Sequence, residues 1–293
     1  MIYVVTVHWR SAKWIAPQIA YLERNIRSPF RVFATLNEID PSVPTDHFYH
    51  ADSESGPHGE KLNALAQKVA KVADPSDTLI FLDSDAFPVR PLDRWLDEQL
   101  ADHPLVAVQR RENLGDLRPH PSFCATTVGF WDSLDGDWSR APWTTPSGTL
   151  FDDSGTGVYR ALEAAHTNWL PLLRSNTNDA HPLWYGVYGH YVYHHGGGSR
   201  TPWSTFDKSE VFAKSKMRDP SLRSLAQDVA RDPGSLRRIR GSTLKTATVR
   251  SFRQVQMRLR LRSIERESDR IFDRLSTDPT FYLEFDDTLM VAP

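Results

Sequence analysis

Two aspartates separated by one residue are the feature of the sequence that most directly suggests chemistry. Asp83 and Asp85 follow the apolar run 79–82, which predicts a buried strand between Asp77 and Pro88. In open α/β sheets, ligands bind beyond the carboxyl ends of the strands. Carboxylates at such an end offer oxygen ligands to a divalent cation that holds a diphosphate. The alternative is a solvated turn, because an Asp-x-Asp pair also occurs by chance.

The residues around this pair resemble a known signature. The run 80–89, Ile-Phe-Leu-Asp-Ser-Asp-Ala-Phe-Pro-Val, is similar to the Asp-x-Asp signature of GT-A glycosyltransferases, above all their glycogenin-like and bacterial lipopolysaccharide galactosyltransferase-like members. Segment 91–96 also fits these members, in which a Leu-Asp pair opens the next helix. The resemblance implies a nucleotide-diphosphate sugar donor, contacted by Asp83 and Ser84. It also implies a manganese cofactor, with magnesium as the alternative.

A histidine motif near residue 195 extends the resemblance. Glycogenin-like enzymes carry His-x-x-Gly-x-x-Lys-Pro-Trp near the end of the catalytic domain. Four residues of this chain fall on that spacing: His195, Gly198, Pro202 and Trp203. The resemblance therefore implies that His195 completes the metal site of Asp83 and Asp85, and that Gly198 contacts the donor. One imidazole beside carboxylates also suits manganese better than magnesium, which prefers oxygen ligands.

The basic residue of this motif departs from the family pattern. Arg200 lies one position before the place of the Lys, and Thr201 occupies that place. A donor-binding role for Arg200 is therefore implied less directly than the metal role of His195.

The beginning of the chain predicts a parallel sheet with nucleotide-binding residues at its edge. Strand-like runs at 2–7 and 31–36 flank a helical pattern at 14–25, and this order is typical of parallel α/β folds. In GT-A proteins the loop after the first strand holds the base and ribose. The resemblance places Thr6, Val7 and His8 there, and a solvent-exposed loop is the alternative.

Two further segments are implied to contact the donor. Lys61 lies near the start of a predicted helix, where a bound anion would be favoured by the helix dipole. In the resembled enzymes a basic residue before the Asp-x-Asp strand contacts the donor. Segment 120–131 resembles the family segment that lines the donor-sugar pocket before an apolar strand, which implies a role for Thr126. The alternative is an ordinary strand of the sheet.

Asp152 and Asp153 are the candidate residues on the acceptor side. They precede a helical pattern, where aspartate is a common N-cap. GT-A enzymes place a carboxylate at this point of the chain, where it acts as general base in inverting members. We predict that Asp152 caps the helix and that Asp153 is the base, with the reverse assignment as the alternative.

The length of the chain and the distribution of charge along it suggest two parts, a larger body and a basic C-terminal segment. The chain has 293 residues, 40% of them hydrophobic, and a net charge of −2. We predict a GT-A, Rossmann-like mixed α/β sheet flanked by helices over 1–208, and a basic, mainly helical C-terminal segment over 209–293. Packing on the body, a peripheral membrane contact and a homodimer contact are the alternatives for this segment. Nucleic acid is not expected as a partner, because the basic runs lack interleaved aromatic residues.

The remaining expectations concern location and reaction. A single cysteine, Cys124, favours a reducing compartment, and neither a secretory signal nor a membrane-spanning run is visible. We therefore predict a cytoplasmic protein, with the inner face of the membrane as an alternative. The resemblance implies hexosyl transfer to a hydroxyl or similar nucleophile of a glycan, lipid-linked or small-molecule acceptor. A nucleotidyltransferase that makes sugar nucleotides and a non-catalytic sugar- or nucleotide-binding protein are the alternative functions.

Overall fold

The computed structural model describes residues 1–113, 115–144, 150–176, 185–197, 266–278 and 280–281. The chain divides into two compact units, Met1–Ser199 with Arg274–Pro293, and Arg200–Asp273. Only 266–273 of the second unit are described, and they are helical.

Strands and helices alternate through most of the first unit. The strands are β1 (Ile2–Trp9), β2 (Phe30–Asn37), β3 (His50–Asp52), β4 (Thr78–Asp83), β5 (Ala86–Pro88), β6 (Leu105–Gln109), β7 (Pro119–Thr127), β8 (Ala141–Thr144), β9 (Leu150–Asp153), β10 (Leu170–Leu172), β11 (Gly186–Tyr188) and β12 (Val192–His194). The helices are α1 (Ile15–Asn25), α2 (His58–Ala70), α3 (Asp93–Asp102), α4 (Val128–Ser133) and α5 (Thr156–Ala164). A further helix covers 266–277.

A seven-stranded mixed sheet forms the centre, in the order β10-β6-β7-β4-β1-β2-β3. Each neighbouring pair is parallel except those that contain β7, which runs antiparallel to β4 and β6. A three-stranded sheet, β11-β12-β5, and the pair β8-β9 accompany it. The predicted mixed α/β sheet flanked by helices is therefore confirmed.

Successive side chains of β1 point alternately to two apolar cores, one on each face of the sheet. Ile2 and Val4 point to one apolar core, which also contains the inner face of α1. Tyr3, Val5 and Val7 point to the other, which contains the inner faces of α2 and α5. Parallel strands buried on both faces need such continuous apolar runs.

The structure corrects one detail of the predicted elements. Segment 120–131, which resembles a family segment that precedes an apolar strand, forms β7 and then enters the helix α4. Its first turn is capped by Thr127, whose hydroxyl oxygen accepts a hydrogen bond from the Phe130 amide at 3.1 Å.

Replacing Thr127 with Ala is expected to lower the free energy of unfolding by about 1 kcal/mol, because the Phe130 amide loses its acceptor. Urea denaturation followed by circular dichroism measures this change. Ser133→Ala is the matched control, since the exposed Ser133 hydroxyl donates to a carbonyl of the same helix. Equal losses in both variants would contradict a specific capping role.

The last described residues belong to the first unit and pack within it. The Tyr21 hydroxyl of α1 donates to the Leu275 carbonyl at 3.2 Å. The side chains of Leu275 and Phe281 are buried. The boundary at 208/209 remains a prediction, because most of the residues after it lie outside the described part. Among the described residues, no helix combines the length and apolarity that a bilayer crossing requires.

Candidate metal centre

The two aspartates lie where the predicted strand ends. Asp83 is the last residue of β4, and β5 begins at Ala86, so Asp83 and Asp85 bracket a tight turn. Asp85 is 5% exposed. Because β4 lies between β1 and β7, this turn is at the carboxyl edge of the middle of the sheet.

A third donor reaches this turn from the late part of the chain. β12 pairs antiparallel with β5, and His194 lies opposite Ala86. The His194 Nε2 atom is 3.4 Å from an Asp83 oxygen and 3.5 Å from an Asp85 oxygen. One ligand atom from each of Asp83, Asp85 and His194 lies within 4.8 Å of the others.

The structure brings His194 to the carboxylates in place of the predicted His195. The His195 ring packs 4.5 Å from the Trp14 ring, and its Nδ1 atom lies 2.8 Å from the Tyr193 hydroxyl. Neighbouring residues of an extended strand point to opposite faces, so a shift of one residue exchanges the two imidazoles. The main chain of His195 still contacts the turn, because its amide donates to the Asp85 carbonyl at 2.9 Å.

The one-residue correction changes which positions of the motif are matched. Counted from His194, Gly197 occupies the Gly position and Arg200 occupies the basic position, which the count from His195 leaves to Thr201. The same count puts Thr201 and Pro202 in the places of the Pro and the Trp, so the spacing alone does not decide between the two histidines. Gly198 and Arg200 themselves lie outside the described residues.

His58 makes a contact that sequence reasoning missed. It is the first residue of α2, and its Nε2 atom lies 3.0 Å from the other oxygen of Asp83. The next residue is Gly59, and a Cβ there would collide with the Trp138 carbonyl. This close approach explains why glycine follows the histidine, since it lets the helix start near the sheet edge.

The charges around the turn favour ionised carboxylates. Burial raises the pKa of Asp83, but the hydrogen bond from His58 and the charges of His58, His194 and His120 lower it well below its ordinary value. Burial likewise raises the pKa of Asp85, and His194 reverses this effect, so the pKa is lowered overall. Two neighbouring buried anions at neutral pH form a site that attracts a cation.

The donor set fits a divalent metal ion. Adjacent ligands of an octahedral ion with bonds of about 2.1 Å lie about 3 Å apart. The separations of His194 Nε2 from the two carboxylates, 3.4 and 3.5 Å, are close to that value. Two carboxylates with an imidazole suit manganese better than magnesium, whose ligands are normally oxygens.

The structure places the predicted base-binding residues inside β1, and not in the loop after it. Thr6 and His8 are fully buried, and Val7 packs in the core shared with α2. Burial lowers the pKa of His8 to about 4, and its ring lies 6.0 Å from that of Phe48. All three residues lie before the end of β1, which continues to Trp9.

The two other predicted donor contacts also form bonds within the fold. Lys61 is buried, and its Nζ donates to the Asn37 side chain at 2.9 Å. Thr126 donates to the Pro104 carbonyl at 2.7 Å. It pairs with Leu79, near the start of β4, so it lies at the edge opposite to Asp83. The pocket role predicted for Thr126 is therefore corrected, whereas Ser84 lies in the turn of the site, where it is 7% exposed.

The structure also corrects the capping role of Asp152 and Asp153. Both are exposed residues at the end of β9, and the N-cap of α5 is Gly155 with φ of 94°. Glycine adopts this left-handed conformation readily, and a Cβ there would also collide with the Pro119 carbonyl. Among the described residues, no side chain caps the first turn of α5. Asp153 instead accepts a hydrogen bond from the Ser154 amide at 2.9 Å.

A charged group beside the aspartates was also missed. Arg110 follows β6, and its charge interacts with those of Glu112 and Asp83. Tyr188, at the end of β11, donates to Glu112 at 2.6 Å. His120, near the start of β7, lies 5.9 Å from the His194 ring. Because β7 is antiparallel, its start lies at the same edge as the carboxyl ends of β4 and β6.

The chain has a distant likeness to several solved structures. A mannosyltransferase from Pyrobaculum calidifontis, in complex with GDP-Man and Mn²⁺, shares 12% identity at a TM-score of 0.42, over 61% of this chain and 58% of its own. The galactosyltransferase LgtC, in complex with donor and acceptor sugar analogues, shares 13% identity at 0.31, over 45% of this chain and 59% of its own. S. aureus TarS shares 13% identity at 0.36, over 47% of this chain and 30% of its own.

This chain thus spans less than two thirds of each of these proteins. No family model and no curated protein matches it. The likenesses concern the fold and carry no argument about activity, so the case for a function rests on the side chains at the edge of the sheet.

Proposed function

We propose that this chain is a metal-dependent glycosyltransferase that transfers a hexosyl group from a nucleotide-diphosphate sugar to a hydroxyl or similar nucleophile. The observation that carries the proposal is the group of Asp83, Asp85 and His194 at the carboxyl edge of the central sheet. Its aspartates have the Asp-x-Asp spacing and the strand-end position of the signature that the sequence resembles. Manganese is the proposed ion, with magnesium as the alternative.

In this proposal the side chains at the sheet edge have different roles, metal binding and the orientation of a metal ligand. Asp83, Asp85 and His194 would hold the ion, while His58 orients Asp83 through the oxygen that faces away from His194. When bound, the ion neutralises negative charge on the leaving diphosphate. Asp85 and His194 are buried and Asp83 is partly buried, and the limited access of water strengthens each charge interaction there.

The acceptor side belongs to the same proposal. Asp153 has an exposed carboxylate, and we keep it as the base of an inverting reaction, with Asp152 as the alternative. A retaining reaction would need no base there. The acceptor is a glycan, a lipid-linked molecule or a small molecule. A membrane or dimer contact of the basic C-terminal segment concerns residues that lie mostly outside the described part.

Nucleotide sugars are expected to raise the melting temperature of the protein only when Mn²⁺ is present, because the ion bridges the aspartates and the diphosphate. A ligand at a hundred times its Kd stabilises the folded state by about 2.7 kcal/mol. Differential scanning fluorimetry with UDP- and GDP-sugars, with Mn²⁺ or with excess EDTA, measures the shift. Release of nucleoside diphosphate from the stabilising donor then reports catalysis.

The outcomes distinguish the alternatives. Stabilisation without diphosphate release or sugar transfer to any acceptor would indicate a binding protein. Formation of a nucleotide sugar from a nucleoside triphosphate and a sugar phosphate would indicate a nucleotidyltransferase. Equal shifts in Mn²⁺ and in EDTA would contradict a metal-dependent donor site.

A further inference from the structure

The turn that carries both aspartates is held from the opposite side by a buried glutamine. Gln18 of α1 is fully buried, and its side-chain NH₂ group donates to the Asp83 carbonyl at 2.8 Å and to the Ala86 carbonyl at 2.9 Å. One donor group thus joins the two ends of the turn. The two carbonyl acceptors also determine which way the Gln18 amide is oriented. If the amide were rotated by 180°, its oxygen would face both carbonyl oxygens and be repelled by them.

These bonds act on the part of the main chain that carries the candidate ligands. The side chains of Asp83 and Asp85 project from this turn. A change in the distance between the Asp83 and Ala86 carbonyls would therefore change the directions of the two carboxylates. The third anchor of the turn is the His195 amide, which donates to the Asp85 carbonyl. Gln18 and His195 therefore hold consecutive parts of the turn from α1 and from the strand that delivers His194.

We propose that Gln18 is a positioning residue, which tunes metal affinity by holding the Asp83–Ala86 turn in the conformation that directs both carboxylates to one ion. This inference rests on the proposed function. Groups that orient metal ligands typically change metal affinity by about 10–100-fold when they are replaced. Gln18 acts on the ligands through their main chain and reaches neither carboxylate with its donor hydrogens.

The same helix provides a matched control. Asn25 lies seven residues later, two turns along the same face of α1, and is also buried. Its side-chain NH₂ group donates to the Tyr21 carbonyl at 3.0 Å and to the Pro88 carbonyl at 2.9 Å. Both amides thus bind main-chain carbonyls around β5, but Asn25 binds the end of the strand that is remote from the carboxylates.

The test compares Gln18→Met with Asn25→Leu in the full chain. Each replacement keeps approximate volume and removes both donor hydrogens. We expect both to lower the melting temperature, because each removes two hydrogen bonds to main-chain carbonyls. Only Gln18→Met is expected to weaken Mn²⁺ binding, by about 10–100-fold, as measured by electron paramagnetic resonance of the free ion.

Hydrogen–deuterium exchange of the 83–86 peptide without metal provides the second readout. Faster exchange in Gln18→Met, but not in Asn25→Leu, is expected if Gln18 holds the turn. Unchanged Mn²⁺ affinity in Gln18→Met, or an equal loss in Asn25→Leu, overturns the proposal. If the parent protein binds no Mn²⁺, the proposed function fails, and unchanged exchange at the turn would separately refute the role of Gln18.

Should Gln18→Met fail to fold, Gln18→Glu replaces it, with the same criteria for affinity and exchange. That variant preserves the shape of the side chain and, when protonated, can donate to one carbonyl. An affinity equal to that of the parent would again overturn the proposal.

Discussion

The Asp85→Ala protein is expected to transfer sugar about 10²–10³-fold more slowly than the parent, because it loses a ligand of the ion that neutralises developing charge. Asp85 is buried and its carboxylate lies 3.5 Å from His194, so the change removes a charged donor from inside the candidate site. Initial rates of transfer at saturating donor and Mn²⁺ measure this change.

The control for this variant is Asp97→Ala. Asp97 is an exposed residue of α3, and its removal changes the net charge by the same amount without touching the site. It should retain the parent rate. Full activity of Asp85→Ala, or of the parent in excess chelator, would show that the reaction does not use a metal at this turn.

Replacing His194 with Ala is expected to weaken Mn²⁺ binding by at least about 100-fold. Groups that only orient metal ligands cost up to about that factor when they are replaced, and a direct ligand should cost more. The reason is geometric, since its Nε2 atom lies within 3.5 Å of both aspartates. Titration of the protein into Mn²⁺ with detection of the free ion by electron paramagnetic resonance gives the affinity.

His195→Ala is the matched comparison, because it removes the same ring from the adjacent position. Its ring contacts Trp14 and Tyr193 on the other face, so we expect a lower melting temperature and nearly unchanged Mn²⁺ affinity. The reverse pattern, with affinity lost in His195→Ala alone, would restore the original assignment to His195 and refute the geometry described above.

The position of the site was predictable, whereas the identity of several of its residues was not. The run before Asp83 is apolar and short, so its strand and its acidic end follow from composition alone. The choice between His194 and His195 depends on which face of β12 meets β5. That choice depends on the pairing register of β12 and β5. A sequence motif locates the register only to within one residue, and a shift of one residue exchanges the two faces of the strand.

The direction of β7 explains a second group of errors. The resemblance of segment 120–131 to the family segment that lines the donor-sugar pocket implied a donor contact for Thr126, which lies at the end of β7. β7 is antiparallel, so its start, with His120, lies at the functional edge instead. Direction is decided by packing between distant segments, and local propensities contain little information about it.

Helix starts were the third source of error. Asp152 and Asp153 have the composition of N-caps, but the left-handed Gly155 after them begins α5. The sequence also does not show that Gly59 lets α2 begin close to Trp138, with His58 as its first residue. In both cases a glycine changed the path of the main chain, and its effect depends on contacts that only the fold supplies.

The pairing of β12 with β5 has a consequence for the order of folding. The aspartates and His194 are separated by more than a hundred residues, most of which form the intervening strands and helices. At a synthesis rate of about 5–20 residues per second, the ribosome adds His194 roughly 5–20 seconds after Asp85. During that interval the nascent chain carries two neighbouring anions without their third partner. The candidate metal centre is therefore completed by a contact of high sequence separation, whose last partner leaves the ribosome late.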